Sequence, residues 1–86
     1  MTISGISSAV EIDSAAILHA LGGADNVLSI EGCIMRLRVV VADANAVNST
    51  ALKEAGAITV IAIDEAIQVV VGPQADAIAK EIAALV

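Results

Sequence analysis

One cysteine, Cys33, stands in the run Glu31-Gly32-Cys33-Ile34-Met35-Arg36-Leu37-Arg38, which also holds both arginines of the chain. A thiolate is a strong nucleophile, and nearby cations stabilise it. Guanidinium groups grip phosphate oxygens through a planar fork of donors. Arg36 and Arg38 are two apart in a β-branched stretch, so on a strand they point to the same side. Gly32 lets a backbone come close to a ligand, and N–H groups of a turn can cradle an anion. Together these residues suit covalent capture of a phosphoryl group. A bland reading stands beside this one. A lone cysteine is often core packing, and two alternating arginines are often a solvated sheet face. The position beside the only two arginines of an acidic chain, net charge −6, favours the chemical reading.

The surrounding pattern says which elements must hold this cluster. Residues 1–12 are small and polar apart from a few aliphatics and read as a flexible lead-in, with the domain over 13–86. Asp13 or Ser14 caps a helix through Ile17, Leu18 and Leu21 that ends at Gly22-Gly23. Asn26 to Ile30 reads as a strand, Glu31-Gly32-Cys33 as a turn, and Met35 to Val41 as a second strand. Val47 to Ala55 is a helix closed by Gly56. Ile58 to Ile63 and Ala66 to Val71 are strands joined at Asp64-Glu65. Gly72-Pro73 opens a final helix from Gln74 to Leu85 with Ala75, Ile78, Ile82 and Leu85 on one side. The order is α-β-β-α-β-β-α. Short connections make two hairpins, so the expected fold is α+β: a four-stranded antiparallel sheet with helices packed on one face.

Composition excludes several classes of function. A net charge of −6 and no aromatic residue leave neither a basic footprint nor a stacking platform for nucleic acid. A single cysteine forms no intrachain disulfide. His19 and Cys33 are too isolated to suggest a metal centre, and no cofactor is implied. His19 reads as a structural helix residue. No apolar run reaches the ~18 residues of a membrane span. No basic segment followed by an apolar run marks a secretory leader. The expected location is the cytosol, where a thiol stays reduced, and the isolated domain is expected to be a monomer. A redox sensor is disfavoured because no resolving cysteine exists.

The run GADNVLSIEGCIMRLRVVV resembles the cysteine segment of phosphotransferase-system IIB domains of the glucose/N-acetylglucosamine family, where Cys-Ile-Thr-Arg-Leu-Arg is typical. AIQVVVGPQADAIAKEI resembles the last strand and helix of those domains, and LHALGG and ALKEAGA their first two helix ends. The resemblance implies the antiparallel α/β sandwich and a carrier cycle. A phosphohistidine on a IIA domain donates to the cysteine, and the phosphocysteine donates to a sugar held by the membrane IIC permease. It assigns Cys33 as the acceptor, Arg36 and Arg38 as the motif arginines, and Gln68 as a glutamine near the phosphoryl group. The backbone of Gly32, Ile34 and Met35 then lines the phosphate site. Two departures stand out. Met35 replaces the usual Thr and its hydroxyl. Asp64-Glu65 sets two carboxylates ahead of Gln68, where they are expected to weaken phosphate binding or alter partner fit. The alternative function is a non-catalytic regulatory or interaction module with the same fold.

Overall fold

The computed structural model describes residues 12–86, so the lead-in lies outside the described residues except for Ile12, which packs against the core. The elements are α1 (Ser14–Ala20), β1 (Val27–Cys33), β2 (Arg36–Val41), α2 (Ser49–Glu54), β3 (Thr59–Ile63), β4 (Ala66–Val70) and α3 (Ala75–Leu85), with short 3-10 turns at Ala24–Asn26 and Ala44–Ala46. Side-chain caps start the first two helices. Asp13 accepts from the N–H groups of Ala15 and Ala16, and Asn48 from that of Ala51. Gly56, at φ 120°, follows α2 in a conformation that suits glycine.

The two hairpins, β1–β2 and β3–β4, lie side by side through antiparallel pairing of β2 with β4, giving the order β1-β2-β4-β3. The expected four-stranded antiparallel sheet is present. Alternation then divides its residues between two faces. Leu37, Val39 and Val41 of β2 and Ile67 and Val69 of β4 are buried beneath the helices. Their core partners are Ile17 and Leu21 of α1, Leu52 of α2, and Ala75, Ile78 and Ile82 of α3. Among the described residues no helix covers the opposite face. Val40 and Ile61 remain 43% and 44% exposed there. Among the described residues no helix is long and apolar enough to cross a membrane.

One buried polar side chain ties the helical layer to the sheet. The Asn26 amide nitrogen donates to the carbonyls of Leu21 at 2.7 Å and Asp43 at 3.1 Å, and its oxygen accepts from the Asp43 N–H at 2.8 Å. The end of α1 and the exit of β2 are thereby held at the entrance to β1.

Candidate functional site

The turn between the first two strands is Ile34-Met35, not Glu31-Gly32-Cys33. Cys33 is the last residue of β1, and Arg36, its cross-strand partner, is the first of β2. Gly32 has the look of a turn residue but is a strand residue. It pairs with Leu37 and faces the helices. A Cβ there would lie 2.6 Å from the Asp76 Cα and 2.9 Å from the Ala75 carbonyl oxygen and the Asp76 nitrogen. The close approach that glycine permits is therefore that of α3, not of a ligand on the open face. The N-terminal turn of α3, the positive end of the helix dipole, sits behind the strand end that carries Cys33.

The real turn carries no glycine, proline or asparagine. Ile34 adopts φ 56° and is 83% exposed, a left-handed conformation that β-branched residues rarely take. The Met35 carbonyl accepts from the N–H groups of both Val71 and Gly72 at 2.9 Å, which ties this turn to the junction of β4 and α3. Nothing in the sequence pointed to that clamp. The second hairpin repeats the geometry with Asp64 at φ 54°, a residue type that tolerates it better.

Register places the candidate residues on one surface. Cys33 lies opposite Arg36, Glu31 opposite Arg38, and Arg38 opposite Gln68. All therefore project from the helix-free face, because cross-strand partners share a side. Cys33 is half-buried and its thiol is free. Arg36 Nη1 donates to Gln68 Oε1 at 2.7 Å, a bond between residues 32 apart in the chain. Arg38 Nη1 lies 3.9 Å from Glu31 Oε2. Beside this pair a shallow groove of about 260 Å³ runs over Ser29, Glu31, Arg38, Val40, Ala66 and Gln68. Met35 is 47% exposed and, with Ile34, forms an apolar rim at the Cys33 end.

The acidic turn is elsewhere. Ala66, which follows Asp64-Glu65, pairs with Val40, whereas Arg36 pairs with Val70. Four residues of strand, roughly 13 Å, separate Ala66 from the level of Arg36 and Cys33, whereas two separate it from Gln68. His19 is exposed on α1, on the helical side of the sheet. No group of three or more His, Cys, Asp or Glu able to hold a metal ion occurs among the described residues.

Residues 15–48, which include Cys33 and both arginines, match the model of the family described as phosphotransferase system, EIIB. The N-acetylglucosamine-specific EIIB component of Streptomyces coelicolor is 56% identical over 66 residues, covering 77% of this chain and 86% of the relative. The maltose-specific EIICB component of Escherichia coli is 49% identical over 71 residues; these cover 81% of this chain but only 13% of that much longer protein. Among solved structures, one domain of the IIabc component from Clostridium difficile superposes with a TM-score of 0.65 at 25% identity, covering 83% of this chain and 72% of the other. The chain belongs to the EIIB family of the phosphotransferase system.

Proposed function

We propose that this chain is the cysteine-borne phosphoryl carrier of a sugar phosphotransferase system, working at the cytoplasmic face of the membrane between a IIA donor and a IIC permease. The observation that carries this reading is the convergence of Cys33, Arg36, Arg38 and Gln68 on the sheet face opposite the described helices. In the first step Cys33 Sγ attacks the phosphorus of a IIA phosphohistidine. The S–P bond forms as the N–P bond breaks, and the electron pair stays on the imidazole. In the second step a sugar hydroxyl oxygen attacks the same phosphorus. The S–P electrons return to Sγ and the hydroxyl proton is released.

Such transfers need little covalent help and depend on positioning and charge. Arg36, opposite Cys33, and Arg38, two residues on along the same face, are the cations that would meet the charge of the phosphoryl oxygens, with Arg36 bonded to Gln68. Backbone N–H groups around Ile34-Met35 supply donors in place of the absent Thr hydroxyl. The exposed Ile34 and Met35 offer an apolar rim for the two successive partners. The relatives are named for N-acetylglucosamine and maltose. A sugar of the glucose or N-acetylglucosamine type is the proposed acceptor, with the permease choosing among them.

The test is mass spectrometry of the chain after incubation with a phosphorylated IIA domain. A phosphoryl adduct on Cys33, absent from a folded Cys33→Ser variant, supports the carrier. A folded wild-type chain that takes up no phosphate refutes it and leaves the non-catalytic module.

A further inference from the structure

Neither arginine of the open face has its guanidinium free. Arg36 is held by the neutral oxygen of Gln68 at 2.7 Å, but Arg38 faces a carboxylate, Glu31, at 3.9 Å. Glu31 is also two residues before Cys33 on β1, hence on the same face and about 7 Å along the strand. Among the residues that register places on that face, Glu31 is the only carboxylate. Asp64 and Glu65 close the far end of the sheet, and Asp76 pairs with Lys80 on α3 at 3.2 Å. A phosphoryl group on Cys33 therefore gains its negative charge next to one fixed negative charge, and that charge is the partner of a cation the phosphoryl group needs.

We propose that Glu31 is a positioning residue that acts through Arg38: it holds the guanidinium while Cys33 is unmodified, yields it to the phosphoryl group on loading, and keeps the phosphocysteine poised for discharge. The inference rests on the carrier reading above. The pair is suited to exchange. Both side chains are mostly exposed, at 56% and 69%, and 3.9 Å is long for a charged contact. Such pairs hold weakly. A phosphoryl group carries a larger charge and three acceptor oxygens, so it displaces a single carboxylate. Once displaced, Glu31 repels the phosphoryl group along the strand. That repulsion falls away when the S–P bond breaks, its electrons return to Sγ and the sugar oxygen takes the phosphorus. Glu31 thus opposes loading and favours discharge, while Arg38 favours both the loaded state and the charge of the transfer.

The experiment compares the full chain with Glu31→Gln and Glu31→Asp. Each is equilibrated with a phosphorylated IIA domain, and the fraction of Cys33 carrying phosphate is read by mass spectrometry. Discharge is followed as sugar-phosphate formation with IIC membranes. Glu31→Gln is expected to shift the loading equilibrium toward phosphocysteine by about three- to tenfold, the effect of one charge on a dianion ~7 Å away in a near-aqueous medium. It is expected to slow discharge, and the difference from wild type is expected to shrink at high salt. Glu31→Asp, which keeps the charge, is expected to stay close to wild type. A merely structural residue moves neither the salt dependence nor the opposite signs of the two steps. A phosphorylated wild type with an unchanged Glu31→Gln equilibrium overturns the role of Glu31 alone, as does an aspartate variant that behaves like glutamine. A wild type that never accepts phosphate overturns the carrier reading as well.

Discussion

Replacing Gly32 by alanine separates two explanations for that glycine. The added Cβ meets three backbone atoms of the first turn of α3, at 2.6, 2.9 and 2.9 Å. Ordinary carbon contacts sit near 3.5–4.0 Å, so the separation must grow by about 1 Å. No flexible side chain can absorb this. Either β1 bends or α3 moves as a body, and α3 carries Ala75, Ile78, Ala79 and Ile82 in the core. Overpacking of this kind costs about 1–3 kcal/mol. With about 2 kcal/mol lost, and roughly 4–8 °C of Tm per kcal/mol for a domain of this size, the melting temperature is expected to fall by about 8–16 °C. The chain has no Trp or Tyr, so far-UV circular dichroism is the suitable probe. Below its melting temperature the variant is expected to accept phosphate on Cys33, because the new methyl group points to the helices and not to the thiol. An unchanged Tm with loss of phosphate acceptance would falsify this account and return Gly32 to the ligand side.

Three further outcomes are expected. Arg36→Lys and Arg38→Lys keep a cation beside the thiol but lose the planar fork; both are expected to accept phosphate from IIA, while sugar-phosphate formation falls by about tenfold or more, and equal rates for wild type and variants in both assays would sink the assignment. Ile34→Gly removes a β-branched residue from φ 56°; relief of about 1–3 kcal/mol of backbone strain against a glycine entropy cost of about 0.5–1 kcal/mol is expected to raise the urea midpoint slightly, and a lower midpoint contradicts the strain. Asn26→Ala strands the Leu21 carbonyl and the Asp43 N–H, while the Asp43 carbonyl keeps the Ala46 N–H; a loss of about 2 kcal/mol or more is expected in denaturant titration, whereas a loss under about 1 kcal/mol means that water replaces the amide.

The final helix was legible because Ala75, Ile78 and Ile82 recur at helical spacing and are buried as expected, although Leu85, in the last turn, is 52% exposed. The strands of the second hairpin were legible for the same kind of reason: β-branched residues bounded by Asp64-Glu65. The end of β1 was not. Gly32 resembles a breaker, yet its cause is the approach of a helix more than 40 positions later in the chain, which local pattern does not reveal. The turn that follows was hidden in the opposite way, since Ile34-Met35 has none of the residue types that announce a turn. The site was readable as a nucleophile with two cations. The Arg36–Gln68 bond depends on which hairpin edges meet, and short-range periodicity is silent on that. The family resemblance, not the residue pattern, pointed to Gln68.

The proposed site and the core are two sides of one register. In β2 the buried residues Leu37, Val39 and Val41 alternate with Arg36, Arg38 and Val40. A slip of one residue would carry both arginines into the aliphatic core, where an unpaired guanidinium is far too costly to bury, and would turn Leu37 and Val39 out to solvent. The same burial that stabilises the domain therefore fixes where the cations stand. β2 is an inner strand, so both arginines sit on backbone paired on both sides. Cys33 is placed differently, at the end of an edge strand and beside an exposed turn. Its backbone is held by pairing with Arg36, and it adjoins the exposed Ile34 and Met35. A carrier of the proposed kind must present one atom to two different proteins in turn without refolding the strands that hold its cations. Cations on an inner strand and a nucleophile at its neighbour's end meet that requirement with no backbone rearrangement, side-chain exchange at Arg38 being enough.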